Sequence, residues 1–216
     1  MTLVDLSHPI RSGQTTYPGL PAPTVSTHLS REASRGTYAE GTEFHIGRID
    51  MVSNTGTYMD APFHRYPDGA DIASLALERL CGVPGVVVRA HDRTAIGPEA
   101  FLAADVAGHA VLVHTGWDSH FGQPDYLGGH PHLTDAAAAA LRDRGAVVVG
   151  IDSANIDSIA AGTRPAHTIL LAAGIPIIEH MTNLGALPEG QPFEFFAIPA
   201  PVVGMGTFPV RAVARL

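Results

Sequence analysis

The chain is 216 residues long with 45% hydrophobic and 16% charged residues, enough apolar material for a substantial core and too much for a disordered or fibrous chain. A net charge of −8 from 13 basic and 21 acidic residues leaves no electrostatic footprint for nucleic acid. A single cysteine, Cys81, excludes an internal disulfide framework and a cysteine-rich zinc site. Met1–Ile10 lacks a basic stretch followed by an apolar run, and no apolar run reaches the roughly 18 residues of a membrane span. A cytoplasmic protein without membrane partners is therefore expected. Twelve histidines stand against thirteen basic residues, an unusual supply of metal-ligating and acid–base groups. The 23 glycines and 17 prolines imply many tight turns and few long helices.

No linker, charge block or repeat divides the sequence, so residues 1–216 are read as one domain. The first third is broken into short extended pieces by Pro9, Gly13, Pro18–Gly19, Pro21, Pro23, Gly36, Gly41, Gly47 and Gly56. In Ser53–His64, S-N-T-G-T-Y-M-D-A-P-F-H, Pro62 disfavours a helix and pushes Ala61 toward extended geometry. An extended chain places Asn54, Tyr58, Asp60 and His64 on one face and Thr55, Thr57, Met59, Ala61 and Phe63 on the other. At a rise of ~3.3 Å per residue, Tyr58 and Asp60 can converge on one point, whereas Asp60 and His64 converge only if the chain bends near Pro62.

From about residue 84 the pattern becomes alternating β and α. Apolar runs at Val86–Val88, Ala110–Val113, Ala146–Ile151 and Ile175–Ile178 read as buried, partly parallel strands. Pro98 suits the start of a helix over Glu99–Ala104. Thr134 suits an N-cap for Asp135–Arg144, with Gly145 as its stop. A shorter helix is expected over Ala166–Ala173, ended by Gly174, and late strands over Phe193–Phe196 and Pro199–Gly204. The fold class is α/β, a mixed sheet with helices packed on it.

His130 and His132 read as solvated loop residues, and Trp117 as core or pocket wall. Asp152 ends an apolar strand, where it can cap the next loop or face a ligand. Glu179 follows Ile175–Ile178, where a carboxylate is costly to bury unless paired, protonated or bound to a metal. With His167 at the start of the preceding helix, the inventory is two carboxylates, Asp60 and Glu179, and two imidazoles, His64 and His167. That set suits Zn²⁺, Mn²⁺ or Fe²⁺ with open positions for water. No G-x-G-x-x-G, Walker loop or G-x-S-x-G elbow is present.

The chain resembles the cyclase family, metal-dependent hydrolases that include bacterial kynurenine formamidase and isatin hydrolase. The resemblance rests on D-L-S-H-P-I at 5–10, Y-P-G at 17–19, T-G-T-Y-M-D-A-P-F-H at 55–64 and H-T-G-W at 114–117. It continues through G-I-D at 150–152, A-H-T-I-L-L-A-A-G-I-P-I-I-E at 166–179, T-N-L at 182–184 and P-V-R-A-V at 209–213. It implies the swivelling β/β/α fold and a homodimer or homotetramer. Against the signature H-x-G-T-H-x-D-x-P-x-H, two ligand histidines are replaced by Asn54 and Tyr58. Asp60, His167 and Glu179 match the other ligands, His64 matches the acid–base histidine, and Tyr17, with Tyr58, falls where substrate is contacted. The resemblance implies an arylformamidase-like hydrolase of C–N bonds in a small, aromatic amide, formamide or cyclic amide, with one divalent ion, Zn²⁺ or Mn²⁺, per chain. Two alternatives are a metal-independent cyclase, dehydratase or lyase using His64 and Tyr58, and a ligand-binding protein without catalysis.

Overall fold

A computed structural model describes residues 1–160 and 162–216. In chain order the elements are β1 (Leu3–Asp5), β2 (Thr24–Leu29), α1 (Arg31–Ser34), β3 (Ile46–Asp50), β4 (Tyr58–Asp60), β5 (Cys81–Arg89) and β6 (Ala95–Ile96). They continue with β7 (Ala110–His114), β8 (His132–Leu133), α2 (Asp135–Asp143), β9 (Val148–Ile151), α3 (Pro165–Ala172), β10 (Ile177–Glu179), β11 (Phe193–Phe196), β12 (Thr207–Pro209) and β13 (Val213–Arg215).

Nine strands form one mixed sheet in the order β1-β13-β11-β5-β7-β9-β10-β4-β12. Its centre, β5, β7, β9 and β10, is parallel. The flanking strands are antiparallel. The period-two side-chain alternation of a strand splits the core into two layers. Val111, Val113, Val149 and Ile151 face one layer with Leu141 of α2 and Leu170 of α3. Leu112, Val148 and Ile178 face the other with Leu6, Met59 and Phe195.

The two longer helices, α2 and α3, are bounded as their sequences direct. The Thr134 hydroxyl accepts from the Ala137 N–H at the start of α2, and Gly145, at φ 79°, follows its end. Pro165 opens α3. Two expectations fail. Pro98 begins only a 3-10 turn, Pro98–Phe101, and Pro199–Gly204 makes no strand. In the latter, prolines at 199 and 201 withhold the N–H groups a ladder needs. The Ser53–His64 segment is extended only at Tyr58–Asp60, and Pro62–His64 turns as a 3-10 helix.

Behind Glu179 the chain turns sharply at His180, which has φ 55° and is fully buried. Its N–H donates to the Ser153 carbonyl at 3.2 Å, its carbonyl accepts from the Thr57 hydroxyl at 2.5 Å, and its Nδ1 lies 2.8 Å from the Tyr126 hydroxyl. Burial pushes the His180 pKa from 6.5 down to about 3. The folded chain therefore holds this ring neutral while the unfolded chain protonates it near 6.5. Stability is expected to fall as pH drops through that interval, by up to ~1.4 kcal/mol per pH unit from this group. Thermal melts at about pH 7 and about pH 5 test this, with His180→Gln flattening the slope; an unmodified chain whose melting point does not move refutes it.

Candidate metal centre and cavity

β4 carries the acidic core of the site. Tyr58 and Asp60 alternate with Met59, so both project onto the α3 side while Met59 enters the opposite layer. Register places Asp60 beside Ile177 and Tyr58 beside Glu179 across the β4–β10 ladder. Asp60 and Glu179 are fully buried, and His167, in the first turn of α3, is 6% exposed. His167 Nε2 lies 3.5 Å from Asp60 Oδ2 and 3.6 Å from Glu179 Oε1. The bend at Pro62 brings His64 Nε2 to 3.8 Å from Asp60 Oδ1, with the His64 side chain 40% exposed. Two glycines make room for that bend: a Cβ at Gly206 would lie 2.6 Å from His64 Cα, and one at Gly69 would lie 2.7 Å from the Pro62 carbonyl carbon.

Both Asp60 carboxylate oxygens are buried without a hydrogen-bond partner. Leaving a buried carboxylate unpaired is costly, and a divalent cation is the partner this geometry fits. Asp60, His64 and His167 each offer a ligand atom, all within 4.8 Å of one another. Glu179 is engaged differently. Its Oε2 accepts from the Tyr58 hydroxyl at 2.6 Å and from Asn155 Nδ2 at 3.4 Å, and its Oε1 accepts from the Ile156 N–H at 2.7 Å. Burial raises the Glu179 pKa to about 7, although His167 and the Tyr58 bond work against that rise. Burial beside two carboxylates pushes the Tyr58 phenol well above 10, so it stays a neutral donor. Asn54 is turned toward the same strand pair: its Oδ1 accepts from the Thr207 hydroxyl at 3.0 Å, and its side chain bonds Tyr58.

One residue of the site carried no sequence signal that singled it out. Asp157 accepts from the Ala166 and His167 N–H groups at 2.7 and 3.0 Å, and from His167 Nδ1 at 2.6 Å. It therefore caps α3 in place of a conventional N-cap and fixes the imidazole so that Nε2 faces Asp60. Burial disfavours a charged His167, yet its bond to Asp157 and the nearby Asp60 and Glu179 carboxylates outweigh that and hold its pKa well above 6.5.

Beside these groups opens a cavity of about 1120 Å³, lined by Tyr17, Leu20, Arg65 and Ile169 together with Tyr58, His64, His167 and Glu179. The Tyr17 hydroxyl bonds Arg164. The other singled-out residues lie outside it. Asp152 caps the turn after β7 by accepting from Thr115 and Gly116. Trp117 donates to the Tyr126 carbonyl and stacks on His120. His130 corrects the expectation of a solvated ring: it is 3% exposed, packed against Ser153 and Pro131. The loop that carries it folds over the end of β9.

The cyclase family model, described as "Putative cyclase", matches residues 4–158. The chain is 31% identical to a kynurenine formamidase of Geobacillus thermodenitrificans over 184 residues, 84% of this chain and 85% of that one. Among solved structures it superimposes on a "potential metal-dependent hydrolase with cyclase activity" with TM-score 0.80 at 27% identity, covering 99% of this chain and 96% of that one. Isatin hydrolase A from Labrenzia aggregata, bound to benzyl benzoate, shares the fold with TM-score 0.81 at 21% identity, covering 99% and 93%. The sheet, its flanking helices and the matched segments thus agree on one lineage, and the chain belongs to the cyclase family.

Proposed function

We propose that the chain is a metal-dependent hydrolase that opens the C–N bond of a formamide, amide or cyclic amide in a small aromatic substrate. The observation that carries this reading is Asp60, fully buried with both oxygens unpartnered, with His167 and His64, which line a large cavity, turned toward it. Its family relatives are a kynurenine formamidase and a potential metal-dependent hydrolase.

Asp60 and His167 would hold the cation with Glu179 Oε1 beside them. When bound, a divalent ion there supplies Lewis acidity and lowers the pKa of water. The protein's own groups do the rest. Asp157 holds the His167 tautomer. His64 stands at the accessible side of the site, where it can take a proton from the attacking water and return it to the departing nitrogen. The carbonyl carbon gains the water oxygen, the C–N bond breaks, and the amine leaves with the proton. Tyr17 and Leu20 offer the apolar wall that an aryl ring needs.

The replaced ligand positions set the stoichiometry. Tyr58 donates to Glu179 from the strand face where the family signature has a ligand histidine, and Asn54 is spent on Thr207 and Tyr58. About one divalent ion per chain, Zn²⁺ or Mn²⁺, is therefore expected. Elemental analysis of protein purified without added metal, with hydrolysis of an N-formyl arylamine measured before and after chelation, tests both points. Two tightly held ions would sink the single-ion reading. Turnover that survives a strong chelator would replace hydrolysis at a metal by metal-free chemistry on His64 and Tyr58.

A further inference from the structure

Arg65 directly follows His64 in the chain. It closes the 3-10 turn Pro62–His64, where its N–H donates to the Pro62 carbonyl at 3.1 Å, and its side chain lines the same cavity as His64. The guanidinium carbon lies 5.5 Å from the centre of the Tyr66 ring, within reach of a cation–π contact. Tyr66 is itself held, since its hydroxyl donates to the Thr168 carbonyl of α3 at 2.9 Å. The ring steadies the guanidinium without offering its N–H groups an acceptor oxygen.

Elsewhere the chain spends its arginines. All thirteen of its basic residues are arginine, and Arg35, Arg93, Arg142, Arg211 and Arg215 each meet a carboxylate. Among the described residues Arg65 forms no ion pair and no side-chain hydrogen bond. The other charged groups of the cavity lining are engaged. Arg164 bonds the Tyr17 hydroxyl and the Ser158 carbonyl, and Glu179 accepts from Tyr58 and Ile156. Asp135 accepts from the Ala136 N–H at 2.9 Å in the first turn of α2, where the helix N-terminus already stabilises its charge. Arg65 is therefore the arginine that a solute entering the cavity meets without a counter-ion.

We propose that Arg65 determines specificity: it holds a carboxylate at the end of the aromatic substrate away from the C–N bond, and selects a simple acid over a neutral amide or a zwitterionic amino acid. A carboxylate presents the planar pair of acceptors that the guanidinium fork matches. An ammonium beside that carboxylate adds positive charge to a cavity that Arg65 and Arg164 already line. A cavity of about 1120 Å³ has room for an aryl ring with a short acid side chain. Because Arg65 adjoins His64, the grip on the carboxylate also sets where the ring lies relative to the proton carrier. The substrate class rests on the hydrolase reading, whereas the anion site does not.

The test uses the full-length protein and three anilides of one shape: 3-(4-formamidophenyl)propionate, its carboxamide, and 4-formamidophenylalanine. The propionate should exceed each of the others by roughly 10–100-fold in kcat/KM, the span of a hydrogen bond to a charged group. The difference should lie in KM, since the carboxylate is gripped equally before and during bond breaking. Arg65→Met, which keeps a long side chain and removes the fork, should bring the three values together, and Arg65→Lys should retain part of the preference. The ratio between substrates is read, so a general loss of rate does not enter. A second readout needs no turnover. In calorimetric titration, 3-(4-aminophenyl)propionate should bind the unmodified protein about tenfold or more tightly than Arg65→Met, and added salt should weaken that binding. Equal kcat/KM for acid and carboxamide, a preference for the amino acid, or a preference that survives in Arg65→Met overturns the proposal. If none of the three is hydrolysed, the hydrolase reading fails by itself and the titration decides: binding that depends on Arg65 upholds the anion site, and binding indifferent to Arg65 overturns it.

Discussion

Replacing Asp60 by asparagine is expected to empty the metal centre and to lower turnover on the order of 10³-fold, the rate equivalent of the several kcal/mol that a Lewis acid supplies. The substitution preserves shape and removes the charge that His167 Nε2 faces at 3.5 Å. It also gives a readout independent of activity. In the metal-free protein two buried carboxylates, Asp60 and Glu179, share His167 as the nearby cation, and neither Asp60 oxygen has a hydrogen-bond partner. Chelation should therefore lower the melting temperature of the unmodified chain. The asparagine variant, which lacks the unpartnered carboxylate, should melt at the same temperature with and without chelator. A variant that keeps full metal content would show that Asp60 is not a ligand.

Much of this site could be read from the sequence because its determinants are local. Pro62 forces the turn that delivers His64, and period-two alternation along Tyr58–Met59–Asp60 sets which side chains face α3. Pro165 and Gly174 bracket α3 and put His167 in its first turn. The parallel strands were legible for the same reason, as short apolar runs between turn residues. What the sequence did not disclose depends on packing between distant segments. Asp157 becomes a helix cap and histidine anchor only because the loop after β9 folds back on α3. His130 is buried only because its loop closes over Ser153. Residues 24–50 carry an ordinary turn-rich pattern, and nothing in it states that β2 and β3 pair with each other apart from the main sheet. The Tyr58–Glu179 bond lies between: the sequence showed that a histidine had been replaced, and the β4–β10 register showed what the phenol does instead.

Substituting His64 by alanine is expected to reduce kcat by roughly 10²–10⁴-fold, the scale of losing a general acid–base group, while metal content stays near that of the unmodified protein. Two observations favour the proton-carrying role. The His64 side chain is 40% exposed whereas those of Asp60, His167 and Glu179 are nearly closed to solvent, and a group that exchanges protons with water needs that access. Its Nε2 lies 3.8 Å from Asp60 Oδ1, close enough to be oriented by the carboxylate and beyond the hydrogen-bond range that would lock it there. The rival role is ligation, since the His64, Asp60 and His167 donor atoms fall within one coordination-sized cluster. Metal analysis separates the two. A ligand loss lowers metal content and activity in parallel, and added metal restores part of both. A proton-carrier loss leaves the metal in place, and turnover is recovered in part by small exogenous imidazole, which can enter the space the side chain vacates. The rescue should strengthen with pH through the titration of free imidazole, because only the neutral form accepts the proton from water. A variant that loses its metal in proportion to its activity, and that imidazole does not rescue, would move His64 from the proton path into the coordination sphere.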